Sequence, residues 1–163
     1  IGKNRSITDP IIQKFELALK KLTLNLAKQI VVDGEGAKKF ITIKVTNAKS
    51  LLSAKKIAFS IAHSPLVKTA IAGEDANWGR IIMGIGKSGE TIDPNKLIIK
   101  FGDLNIVEKG AISENYDEAK VSEYMKWDSI FIEVNLNLGY DQFECYTCDF
   151  THDYIDINAD YRN

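Results

Sequence analysis

Histidine, cysteine and proline are scarce: the 163 residues hold two, two and three of them. A structural zinc site wants four ligands at suitable spacing, and His63 and His152 are the sole histidines available to join Cys145 and Cys148. A redox Cys-x-x-Cys pair usually opens a helix, where the dipole lowers a thiol pKa, whereas residues 142–150 read as a strand. Side chains three apart on a strand point to opposite faces, so the two thiols are predicted to be structural and unpaired. Reduced residence in the cytoplasm follows as the default. A basic excess is also lacking: 21 Lys and Arg face 22 Asp and Glu, a formal net charge of −1, which argues against a nucleic-acid partner. No apolar run reaches the roughly 18–20 residues that span a bilayer, so no membrane partner is expected. The opening Ile1-Gly-Lys-Asn-Arg-Ser6 carries neither a signal-peptide core nor a methionine, which fits a processed or incomplete chain.

What is present is an ordinary folding composition, 45% apolar and 26% charged, enough for one or two compact domains. Asp9 and Pro10 form a helix start, with Asp9 as cap and Pro10 at the first position, where no amide hydrogen is needed. Ile11, Phe15, Leu19, Leu22 and Leu26 follow at spacings of three and four and predict one apolar stripe to about Ile30. Ile41, Ile43 and Val45 alternate with polar residues and predict a strand. A second helix is predicted from Ser50, with Leu51, Ala54, Ile57, Ala58 and Ile61 on one face, and Pro65 ends it. Residues 66–72 read as extended, 73–80 as a turn into a short helix, 96–101 as a strand and 116–125 as a helix. Residues 130–136 alternate as a strand, and two more strands are predicted at 143–150 and 154–158. The interleaving predicts an α/β (α+β layered) fold, divided near 65–73 into residues 1–70 and 71–163.

Three segments could carry chemistry. Asp33-Gly-Glu-Gly36 places Glu35 between two glycines, where it can face a ligand unobstructed or merely form a solvated acidic turn. In Gly73-Glu-Asp-Ala-Asn-Trp-Gly-Arg80, Asp75 or Asn77 can cap the next helix with Trp78 in the core, or the loop can line a pocket and offer Arg80 to a carboxylate. Residues 151–163 keep two tyrosines and two isoleucines to the end of the sequence, so this tail is predicted to dock on something. His152 reads as structural rather than as a base. No phosphate loop, nucleophile elbow, dinucleotide fingerprint or metalloprotease motif occurs.

Taken together, Asp33-Gly-Glu-Gly-Ala-Lys38, Ser60-Ile-Ala-His-Ser-Pro-Leu-Val-Lys-Thr-Ala70, Asn77-Trp-Gly-Arg80 and Cys148-Asp-Phe-Thr-His-Asp-Tyr-Ile-Asp-Ile-Asn-Ala-Asp-Tyr-Arg162 resemble the bifunctional ornithine acetyltransferases of arginine biosynthesis over nearly the whole chain. The resemblance implies a self-cleaving precursor of the N-terminal-nucleophile, DmpA-like fold class, with mixed sheets packed against helices. In that family the new β-chain terminus is a threonine that attacks N-acetylornithine, using its own α-amine as base, and passes the acetyl group to glutamate. Acetyl-CoA is a further possible donor. The threonine would lie upstream of residue 1, so no threonine here is assigned as nucleophile, and Ile1 is not expected to be the mature terminus. By the same resemblance Glu35 and Asn158 are substrate contacts. Asn163 stands where the family usually ends in threonine or serine, and is a longer group with a changed geometry. An α chain of the same precursor, an α2β2 assembly, and neither metal nor organic cofactor are implied, with the tail (within residues 71–163) returning to the active site. The alternatives are an aminopeptidase or amidase of the same fold, and a non-catalytic amino-acid-binding subunit.

Overall fold

The computed structural model describes residues 6–160. Helix α1 (Pro10–Val32) starts as its residues dictate, with Asp9 accepting from the Ile11 amide at 2.9 Å and Pro10 in the first turn. It is followed by β1 (Phe40–Ala48), α2 (Leu51–Ala62), α3 (Pro65–Ala72) and α4 (Trp78–Lys87). Three strands come next, β2 (Ile98–Phe101), β3 (Leu104–Glu108) and β4 (Ala111–Ile112). The chain ends with α5 (Glu118–Met125), β5 (Ser129–Asn135), β6 (Asp141–Cys148) and α6 (His152–Ala159).

The strands form one six-stranded mixed sheet in the order β4-β3-β2-β5-β1-β6, with β1 parallel to β5 and the other pairs antiparallel. The sheet is therefore drawn from both halves of the sequence: β1 lies between β5 and β6. Ile41, Ile43 and Val45 of β1 and Ile130, Ile132 and Val134 of β5 are buried, and the residues between them are half-covered. Helix α2 packs across β1 and β6 through Ala54, Ile57, Ala58 and Ile61, all without solvent exposure. Each buried isoleucine of this core is worth about 1.5–3 kcal/mol relative to an exposed one. Helix α4 reaches α2 at Gly84, where an added Cβ would stand 3.2 Å from the Ile61 Cα, so a larger residue would crowd this close approach by a few tenths of an ångström.

Leu51, placed by its spacing on the packed face of α2, is exposed: it stands in the first turn, at the edge of that stripe. Two predicted segments also differ. Residues 66–72 are not extended but belong to α3, because Ser64-Pro65 is itself a helix start: Ser64 accepts from the Val67 amide, and Val67, Ala70 and Ile71 are buried. The proline that stops α2 also opens α3. Residues 154–158 lie in α6, not a strand; Ile155 and Ile157 are both exposed, so no alternating face is buried. Strands β3 and β4 were not anticipated, since they are short and lie beyond the tight turn at Gly102 (φ +57°). Cys145 and Cys148 do lie on β6 and are both free, Cys145 buried opposite Ile43. No described helix is long and apolar enough to cross a membrane.

Candidate functional site

The turn after α1 carries Glu35. Gly36 adopts φ +69°, and a Cβ there would come within 2.6 Å of the Tyr154 amide nitrogen, so the glycine permits both the conformation and the close approach of α6. That approach brings the two ends of the chain's functional sequence together. Asn158 Nδ2 donates to Glu35 Oε2 at 2.8 Å across 123 residues of sequence, and also to the Tyr154 carbonyl at 2.8 Å. Both side chains are exposed, so carboxylate and amide share one open surface. Asn163 and Ile1 lie outside the described residues.

A set of cross-links behind this surface was not singled out from the sequence. Thr151 Oγ1 donates to the Gly36 carbonyl at 2.7 Å, in place of capping α6. Lys38 and Asp153 pair at 2.8 Å; each shifts the other's titration, Lys38 upward and Asp153 downward, chiefly through that hydrogen bond. Asp149, 3% exposed, accepts the Lys38 and Lys39 amides on Oδ1 at 2.8 and 2.9 Å. The buried Lys39 ammonium donates to the Met125 and Trp127 carbonyls and to Glu74, anchoring the 73–80 loop to the end of α5. Lys38, Thr69, Gly73, Phe150, Thr151 and Asp153 line an adjoining cleft of about 400 Å³. The signal that could have marked Asp149, Thr151 and Asp153 is their place in the 148–162 motif, but burial and partners are invisible in one sequence.

In the 73–80 loop both readings have support: its first residue, Gly73, lines the cleft, and the rest opens α4. Asn77 caps α4 through the Arg80 amide at 3.2 Å, and Trp78 packs against the core. Arg80 Nη1 donates to the Leu66 carbonyl at 2.8 Å and to Thr69 Oγ1 at 3.2 Å, which ties α4 to α3. His63 rests against Phe59 with ring centroids 5.4 Å apart, and Thr8 belongs to the turn before α1, hydrogen-bonded to Ser6. Among the described residues no group of three or more His, Cys, Asp and Glu is placed to hold a metal ion. The arrangement can bind a cation and accept from an amide N–H of a ligand.

Comparison with known proteins gives one answer throughout. A family model described as the ArgJ family matches residues 2–163. The chain is similar to the arginine biosynthesis bifunctional protein ArgJ of Gluconobacter oxydans, 54% identical over 157 residues, covering 96% of this chain and 37% of that protein. The protein of the same name from Bradyrhizobium diazoefficiens is 51% identical over 156 residues, with 96% and 38% covered. The crystal structure of the arginine biosynthesis bifunctional protein argJ from Bacillus halodurans superposes with a TM-score of 0.92 at 38% identity, covering 98% of this chain and 75% of that one. The chain thus spans between a third and two-fifths of the curated relatives it matches.

Proposed function

The chain belongs to the ArgJ family, and from that premise we propose that it is the substrate-binding part of an acetyltransferase whose nucleophile lies in another part of the precursor. In this reading the threonine hydroxyl attacks the acetyl carbonyl of N2-acetylornithine while its α-amine takes the proton. Collapse of the tetrahedral adduct breaks the C–N bond, and the proton returns to the departing ornithine amine. The α-amine of glutamate then attacks the acetyl ester, and the threonine hydroxyl is restored as N-acetylglutamate leaves.

The observation that carries the reading is the Glu35–Asn158 pair. A carboxylate next to an amide suits a substrate with a cationic amine and an amide N–H: Glu35 keeps acceptor capacity beyond the one bond it receives from Asn158, and with both Asn158 amide hydrogens engaged its Oδ1 is left to accept. Asn163 is proposed as the third contact. The partner is the α chain of the same precursor, in an α2β2 enzyme of the cytoplasm. Support for a partner of that kind comes from α1, in which no residue is buried and Ile11, Phe15, Leu19, Leu22, Leu26 and Ile30 are all exposed along one stripe. The remainder of a precursor about two and a half times longer, as in the relatives, is the occupant we assign to that stripe.

The test is kinetic. In the full precursor-derived enzyme, Glu35→Ala should cost a charge-assisted contact worth about 1.5–3 kcal/mol, or roughly 10- to 100-fold in kcat/KM for N-acetylornithine. Wild-type acetyl transfer by that variant would overturn the site. Peptide hydrolysis in place of acetyl transfer would favour an aminopeptidase.

A further inference from the structure

We propose that Asp149 is the positioning residue of this site, the group that fixes how far Glu35 stands from Asn158. The inference rests on the reading of Glu35 and Asn158 as substrate contacts.

The accounting of backbone donors makes the case. Antiparallel pairing of β1 with β6 ends at Phe40 and Cys148. One step beyond, the amides of Lys38 and Lys39 have left the ladder, and a covered amide without an acceptor is costly. A single oxygen, Asp149 Oδ1, takes both, while the Asp149 amide donates to the Lys39 carbonyl at 3.2 Å. Three bonds thus close the junction between the strand that leaves the Glu35 turn and the strand that leads to α6. Glu35 lies three residues before Lys38, and α6 starts three residues after Asp149, so both arms are fixed close to their roots.

The other links are weaker candidates for this role. Lys38 and Asp153 are about half exposed or more, and ion pairs of that kind contribute little. Thr151 makes a single neutral bond. Asp149 is buried, its bonds are charge-assisted, and it touches neither Glu35 nor Asn158. Its second oxygen, Oδ2, is buried with no donor among the described residues, so its side-chain grip passes through Oδ1 alone. An asparagine can present the same oxygen; an alanine cannot.

The experiment compares D149A and D149N in the full processed enzyme, alone and combined with E35A. D149A should raise KM for N-acetylornithine about tenfold, with most of the loss in KM rather than kcat, and D149N should recover most of it. Because Asp149 acts through Glu35, D149A should add nothing further in the E35A background, whereas a general weakening of the fold would give additive losses. Amide exchange at Lys38 and Lys39 should quicken in D149A and stay slow in D149N. If D149A fails to fold, D149S, whose hydroxyl stops short of the amides, supplies the same comparison. Equal losses in D149A and D149N, or additivity with E35A, would overturn the proposal. A normal KM in E35A would remove the substrate site and this inference with it.

Discussion

Helices α1 and α2 are written in the same code and end in opposite surroundings. Each begins with a side-chain cap, Asp9 or Ser50, and each repeats apolar residues at three and four. Six residues of α2 are buried against the sheet and α4, whereas Phe15 and Leu22 of α1 remain 63% and 56% exposed and no residue of that helix is buried. Periodicity therefore says which face of a helix wants cover. It does not say whether the cover comes from the same chain. The same holds at the carboxyl end, where Ile155 and Ile157 of α6 are exposed beside the candidate site.

The comparison can be broken most decisively on α1. L22D/L26D should abolish co-purification of this chain with the α chain proposed as its partner while leaving the chain's own melting temperature nearly in place. Retained association would show that the stripe is not the contact. Next in size, Ile57→Ala on α2 should destabilise the chain by about 2–5 kcal/mol by leaving a cavity, against less than about 0.5 kcal/mol for Leu22→Ala on an exposed face; paired denaturant titrations check this. A third measurement uses the cysteine beneath the same core. Burial pushes the Cys145 thiol up to about 11, so alkylation at pH 8 should spare it in the native chain and in Leu22→Ala, and reach it faster in Ile57→Ala. Comparable labelling in both variants would erase the distinction.

The smallest expected effect concerns how α2 is tied at its edge. Hydrogen bonds from Ser53 and then Lys56, with the Lys49 charge nearby, hold the Glu90 carboxyl down at about 2 against an ordinary 4.5. A depressed folded-state value stabilises the fold above about pH 4.5, and that contribution is lost as pH falls from there towards 2. Glu90→Gln should flatten this part of the acid limb in a melting-temperature profile. An identical acid limb in the two proteins would exclude the role.

Much of the framework was legible in the residues. The cap at Asp9, the alternation in β1 and β5 and, apart from the exposed Leu51, the buried face of α2 were readable because each depends on spacing within one segment. Residues 66–72 were misread because Pro65 carries two meanings, a stop for one helix and a start for the next, and the cap at Ser64 decides between them. Residues 154–158 were misread because Tyr154 and Ile155 look like strand formers, and propensity yields to the helix that tertiary contacts at Thr151 and Gly36 allow. Glu35 and Asn158 were expected at one site through resemblance to a family; nothing in their local sequence pairs them. Arg80, open to either reading in sequence, reaches α3 through Nη1.

By itself the sequence determined the local geometry: where helices begin, which strand faces are apolar, and that two cysteines three apart on a strand do not meet. These follow from periods of 3.6 and 2 residues and from backbone sterics, which need no distant partner. Tertiary structure alone decided that Glu35 meets Asn158, that Asp149 grips the amides at 38 and 39, and that the stripe of α1 goes uncovered. Such pairings depend on which segments the sheet order brings side by side, and contacts across more than a hundred residues leave no trace in local spacing.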